Sequence, residues 1–255
     1  MIACEKGHKE VALLLADLRI NVNQPNHKEA TPFFIACQQG HKEVVSLLLN
    51  NPRIEINNPE NDQCTPLWFA SQEGYLSVVQ RILASEREVD TKTKSIAGAG
   101  GWNNKTTAEI ARFQGIRDKI AAESEEDYTR KRQNGPLIAK WIDSFDADPA
   151  ITRQHLRELP ELRDAFISDL FALVVFLCDD FLSVSTESSS STSPPSSTTS
   201  KKAARFFQIA HCLPMELQMV LCNRVFGAGK NSVLTKHSEP AFKRLGRLYG
   251  RLDGH

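Results

Sequence analysis

Apolar residues in the first part of the chain recur in pairs of short helical runs rather than in strict alternation. Within residues 31–49 a first run, Phe33-Phe34-Ile35-Ala36-Cys37, gives way to Gly40. A second run follows, with Val44, Val45, Leu47, Leu48 and Leu49 forming an apolar face too wide for one helix pair to cover alone. The same two runs return in residues 65–83, divided by Gly74. Residues 2–11 repeat 35–44 almost letter for letter, and 69–78 repeat them more loosely. Gly7, Gly40 and Gly74 stand 33 and 34 residues apart, and Thr31-Pro32 and Thr65-Pro66 stand 34 apart. A fixed period in this range predicts units that bury their wide faces by stacking.

The chemistry inside one unit supports that reading. Thr31 and Thr65 suit a helix N-cap, with Pro32 or Pro66 in the first turn, where a missing N–H does no harm. The small pairs Ala36-Cys37 and Ala70-Ser71 let neighbouring helices approach. Gly40 and Gly74 supply the positive φ of a tight turn after the first helix.

Residues 31–49 resemble the ankyrin repeat, T-P-L-x-x-A-A-x-x-G-H-x-x-V-V-x-L-L-L, at almost every position, and residues 65–83 nearly as well. One departure stands out: Phe34 and Trp68 occupy the position where the family has His, so the usual Thr–His hydrogen bond gives way to apolar packing. A stretched fourth copy follows, in which Thr106, Ala111 and Gly115 keep the spacing of Thr65, Ala70 and Gly74. Its finger loop is enlarged by residues 94–101, and a charged insert, 123–132, delays its second helix to 136–145, with Leu137, Ile138, Trp141, Ile142 and Phe145 on one face. The first copy lacks its Thr-Pro start, with Met1 where Phe34 sits, which favours a piece of a longer array over a poor cap. The resemblance implies an all-α fold: a solenoid of about four units over residues 1–147, followed by a small helical domain.

Beyond the array, Asp148-Pro149 opens a helix with Ile151, His155, Leu156 and Leu159 on one side, and 161–182 is a long apolar helix. Residues 183–200 are mostly Ser and Thr around Pro194-Pro195, a linker expected to be disordered. Three more helices are expected over 203–212, 214–226 and 240–249, in a 201–255 region that packs on 148–182. Two apolar stripes on the middle one, Leu217, Val220, Leu221 and Val225 against Met215, Met219, Cys222 and Phe226, predict a buried helix. Leu213-Pro214-Met215-Glu216-Leu217 is similar to the L-P-x-E-L start of F-box helices, which dock ubiquitin-ligase scaffolds; a proline-capped core helix is the plainer reading.

Charge adds an exclusion. Lys plus Arg and Asp plus Glu are 31 each, so no net field draws the chain to nucleic acid or to an anionic membrane. Asp169, Asp179 and Asp180 interrupt the most apolar stretch, which argues against a membrane span. The six cysteines form no CxxC pair and read as small buried hydrophobes in a reducing, cytoplasmic setting, with the nucleus open.

No catalytic residue, metal ligand or cofactor site is expected. His8 and His41 share one repeat position beside a turn, and His27, His155, His211, His237 and His255 have no ligand-spaced Cys or carboxylate. The stretch 227–232 lacks the first glycine and the preceding strand of a phosphate loop. Acidic 123–127 and basic Arg130-Lys131-Arg132 read as a solvated helix with internal pairs. The resemblance implies instead that a monomeric chain binds another protein through its fingertips and first-helix faces. The residues at those positions are Glu5, Lys6, His27, Lys28, Gln38, Gln39, Asn61, Asp62, Gln72, Glu73, Trp102 and Asn103. Trp102, in the enlarged finger, is either the aromatic anchor of that surface or a side chain packed on the preceding finger.

Overall fold

A computed structural model describes residues 2–7, 20–96, 103–178, 206, 209–210, 212–225, 238 and 241–242. Among these residues the chain is helical, without a strand. The elements are α1 (Ile2–Glu5), α2 (Pro32–Gln38), α3 (Lys42–Leu49), α4 (Pro66–Gln72), α5 (Leu76–Ala84), α6 (Thr107–Ile116), α7 (Glu125–Ala147), α8 (Pro149–Glu158), α9 (Pro160–Cys178) and α10 (Met215–Val225). They divide into two compact units, Met1–Leu156 and Arg157–His255. Trp102, the serine-rich stretch 183–200, the second helix of the first repeat and most of 203–212 and 240–249 lie outside the described residues.

In the first unit α1, α2, α4 and α6 pack side by side, and α3, α5 and α7 form a second row against them. Each first helix starts on a threonine cap. Thr31 Oγ1 accepts from the Phe34 nitrogen and Thr65 Oγ1 from that of Trp68, both at 3.2 Å. Thr106 forms a reciprocal capping box with Glu109. Such a cap contributes about 1 kcal/mol, enough to decide where a seven-residue helix begins. Gly40 and Gly74, both at φ +74°, turn the chain into the second helix. Ala36, Ala70 and Ala111, each with no exposed surface, let the first helices close on one another. Behind them Val44, Val45 and Leu48, then Val78, Val79, Ile82 and Leu83, then Ile138, Ile142 and Phe145 fill the second row. Each fully buried aliphatic there stabilises the stack by roughly 1.5–3 kcal/mol.

Three polar ladders tie unit to unit. Asn23 donates to the Arg53 carbonyl (2.7 Å) and accepts from the Glu55 nitrogen (3.0 Å), and Asn57 does the same to Glu88 (2.9 Å) and Asp90 (3.0 Å). Arg53 reaches the Ile20 carbonyl, and Arg87 those of Asn51, Pro52 and Ile54. On the opposite turn, His41 Nε2 lies 2.6 Å from the Glu5 carbonyl oxygen, which requires the Nε2–H tautomer.

The fourth unit departs from the sequence expectation. Its second helix does not wait for Pro136: α7 runs 23 residues from Glu125, with Pro136 inside it. Gly135 makes this tolerable, because it has no Cβ to meet the proline ring. Gly115 stands at the repeat position of the turn glycines but lies within α6, and it is absent from the positive-φ residues. The first unit also runs on to Leu156, past the boundary expected at 147. Here α8 and the end of α7 finish the ladders with residues outside the repeat pattern. Asp146 takes the Thr91 hydroxyl (2.5 Å) and pairs with Lys92, while Arg153 donates to the carbonyls of Ser85 (2.8 Å) and Arg87 (2.9 Å). The inner face of α8 is Thr152 and Leu156; Ile151, expected inside, is 53% exposed.

In the second unit α9 packs against α10. Ile167, Phe171, Val174, Ala210 and Cys222 form the centre, with Met219, Leu221 and Phe242 packed around them. The buried face of α10 therefore includes Gln218 and Cys222, whereas Leu217, Val225 and Met215 are about half exposed. Gln218 is satisfied by the carbonyls of Ala210 and Leu213. Neither expected apolar stripe is buried as a whole, because period alone cannot say which face meets a neighbour.

Candidate interaction surface

Each finger closes by backbone bonds: Asn26 N to Ala30 O (3.0 Å), Glu60 N to Cys64 O (3.1 Å), and Ser95 N to Lys105 O (3.4 Å) in the enlarged third finger. Glu29, Gln63 and Asn104, each two residues before a capping threonine, hold a left-handed backbone near φ +60°. Asn61 N donates to Lys28 O (3.2 Å) and Ile96 N to Asp62 O (3.0 Å), so the three fingers form one connected edge. On that edge His27, Lys28, Asn61, Asp62 and Asn103 all face solvent, as does Ile96. Beneath the first two fingers Asn21, Asn23, Pro25, Glu29, Thr31, Glu55, Asn58 and Pro59 line an open polar cleft of about 340 Å³.

The first-helix faces are less uniform. Glu5, Lys6 and Gln39 are exposed and Gln38 is half-buried. Phe34 and Trp68 are only 2% and 3% exposed, so they belong to the frame rather than to the surface. Trp68 makes good the missing histidine bond by another route, since its Nε1 donates to the Lys105 carbonyl in the next finger (2.9 Å). The residues that sequence reasoning passed over are Ile35, Phe69 and Phe113, half-buried on successive first helices. Phe69 lies edge-on to Phe34 and to Trp68, and Lys105 Nζ sits 5.3 Å from the Phe113 ring centre. Their repeat positions were the available signal: Ile35 and Phe69 coincide, and Phe113 aligns with Gln38 and Gln72.

Gln72 and Glu73 sit beside α7. Both are half-buried, because the amino-terminal half of α7 returns to the turn they begin. Arg130 Nε donates to the Glu73 carbonyl (2.9 Å), and Asn134 Nδ2 to that of Gly74 (2.8 Å). The Arg130 guanidinium also lies 4.6 Å from the Tyr75 ring centre. Lys131 Nζ bridges Glu73 (2.9 Å) and Glu123 (3.3 Å), and Arg117 pairs with Glu123 at 2.5 Å. With Arg117, Glu123 and Lys131 side chains only 7, 5 and 12% exposed, one side of 123–132 is an enclosed network, while Glu125, Glu126, Thr129 and Arg132 face solvent and Asp127 pairs with Arg130 within the helix, as expected. Burial pushes the Glu123 carboxyl up, but hydrogen bonds from Arg117 and Lys131 outweigh it and leave the group below the usual glutamate value. Hydrogen bonds from Ser124 and Arg130 hold Asp127 below its usual value as well.

Burial, with the carboxylates of Glu60 and Asp62 nearby, pushes the Cys64 thiol to about 12, and burial does the same to Cys222. Among the described residues no group of three or more His, Cys, Asp or Glu side chains is arranged to hold a metal ion, and no helix is long and apolar enough to cross a membrane.

Residues 1–94 match the family described as Ankyrin repeats, in three copies. No curated protein matches the chain. The fourth unit falls outside the family match and is defined by its packing on α4 and α5.

Proposed function

We propose that the ankyrin repeats of residues 1–94, extended by the fourth unit, hold a partner protein along the connected finger edge and the first-helix faces behind it, without catalysing a reaction. Ankyrin repeats are protein–protein interaction modules and generally non-enzymatic. The observation that carries the reading is the edge itself, where His27, Lys28, Asn61, Asp62 and Asn103 project from fingers whose backbones are bonded to one another. Half-buried Ile35, Phe69 and Phe113 add apolar area next to the polar Gln38 and Gln39, the mixture that a protein interface uses. The surface residues left for this role are Glu5, Lys6, His27, Lys28, Gln38, Gln39, Asn61, Asp62 and Asn103, with Trp102 as a further candidate, acting in a monomeric cytoplasmic or nuclear protein. Capture from lysate by the immobilised full-length chain tests it. The combined change Lys28→Ala, Asn61→Ala and Asp62→Ala should abolish retention of the captured protein without moving the melting temperature. Equal retention by the triple variant overturns the assignment.

A second reading, an adaptor that passes the held protein to a ubiquitin-ligase scaffold, draws on Met215 and Leu217, 56% and 50% exposed at the start of α10. It requires co-purification with such a scaffold and loss of it on Leu217→Ala. A chain that never co-purifies with one removes this reading.

A further inference from the structure

The enclosed charge network on α7 leaves one cation differently placed. Arg117, Arg130 and Lys131 are each paired with a carboxylate. Arg132 has no carboxylate partner among the described residues; its Nη1 donates to the phenolic oxygen of Tyr128, one helical turn back, at 2.9 Å, and reaches the Arg117 carbonyl at 3.4 Å. The guanidinium carbons of Arg132 and Arg117 lie 5.8 and 6.0 Å from the Tyr128 ring centre. Arg132 thus holds the Tyr128 hydroxyl, and the guanidinium of Arg117 lies beside the same ring. We propose that Tyr128 is a phosphorylation site whose phosphoryl group is received by Arg132 and Arg117.

The setting fits the chemistry. Tyr128 is half-buried on a stretch where Glu125, Glu126, Thr129, Arg132 and Gln133 are all exposed, so a modifying enzyme can approach it. The four carboxylates Glu123, Glu125, Glu126 and Asp127 precede it, a charge pattern that a kinase with a basic substrate groove selects. In the step a tyrosine kinase moves the γ-phosphoryl of a nucleoside triphosphate onto Tyr128 Oη. A new P–O bond forms there, and the bond from the γ-phosphorus to the β–γ bridging oxygen breaks. The phenolic proton passes to the kinase's base, and the nucleoside diphosphate leaves. The product carries close to two negative charges and three acceptor oxygens, which planar guanidinium groups meet in paired hydrogen bonds. It competes with Glu123 for Arg117. Because Glu123 shares Lys131 with Glu73, modification acts on the same contacts that hold α7 on the turn after α4. Tyr75 differs: its ring lies against Gly40 and under Arg130, within the frame.

The test treats the folded full-length protein with an acid-directed tyrosine kinase and magnesium ATP, maps phosphate by mass spectrometry, and titrates it by ³¹P NMR. Phosphate is expected on Tyr128 and not on Tyr75. The titration midpoint should lie about one pH unit below the ~6 of an unpaired phosphate, and return toward ~6 in urea and in the exposed Arg132→Gln variant. Two results overturn the proposal: modification of Tyr128 only in the urea-unfolded chain, or one midpoint shared by wild type and Arg132→Gln.

Discussion

Gly135 of α7 and Gly115 of α6 meet backbone to backbone: a Cβ on Gly135 would stand 2.9 Å from the Gly115 nitrogen and closer still to the Ala111 carbonyl oxygen. A Cβ on Gly115 would in turn meet the Pro136 ring at 2.7 Å. The two helices of the fourth unit meet where neither Gly135 nor Gly115 has room for a Cβ, and this contact sets their separation.

Gly135→Ala should therefore destabilise the first unit despite alanine's better helix propensity. Propensity favours the variant by about 0.5–1 kcal/mol, but forcing the backbones apart costs about 1–3 kcal/mol. A melting temperature lower by a few degrees is expected, against no change for the exposed control Lys140→Ala. A higher one would mean that the helices do not cross this closely.

Removing the guanidinium of Arg153 leaves the carbonyls of Ser85 and Arg87 without their donors and removes a cation lying 5.1 Å from the Phe145 ring centre. Loss of about 1–3 kcal/mol is expected for Arg153→Ala. Hydrogen exchange should rise in residues 85–91 and leave 54–58 unchanged. A rise spread evenly over both would assign Arg153 a general role instead of a terminal one.

Acid should loosen α7 before it unfolds the earlier units. Glu123 and Asp127 are held below their ordinary values, so their contribution is complete above the unfolded values near ~4 and is lost as pH falls through the lower folded ones. Thermal stability should be level from pH 8 to about 5.5 and decline below ~4.5, and Glu123→Gln should flatten that decline. An identical acid limb in the variant counts against the network.

The left-handed backbone at Gln63 suits asparagine better than glutamine. Gln63→Asn should stabilise by about 0.5–1 kcal/mol, and Asn104→Gln should do the reverse. Opposite shifts of the two melting temperatures are the reading; parallel shifts exclude it.

The repeat frame was legible because its determinants are local. Threonine caps, first-turn prolines, small residues and the positive-φ glycines Gly40 and Gly74 each act within a few positions. The fourth unit was not, because its decisive contacts span the chain. Pro136 reads locally as a helix start; only Arg130, Lys131 and Asn134, reaching back to Glu73 and Gly74, show why the helix begins earlier, at Glu125. The same contacts engage both the carbonyl and the carboxylate of Glu73. His27, Lys28, Asn61 and Asp62 were correctly read as exposed, since a finger tip has no neighbour to cover it.

The bonds that shape the finger edge include backbone pairs, the nitrogens of Lys28 and Ala30 donating to Asn26 Oδ1, that of Asp62 donating to Glu60, and Trp68 Nε1 donating to the Lys105 carbonyl. Among the described residues none uses the side chains of His27, Lys28, Asn61 or Asp62. Those four positions are thus released from the demands of folding. Mutation can drift through them without loss of the protein, and selection for a new partner can act there directly. A lineage carrying this stack could replace what it recognises several times over while the object that displays the choice stays the same.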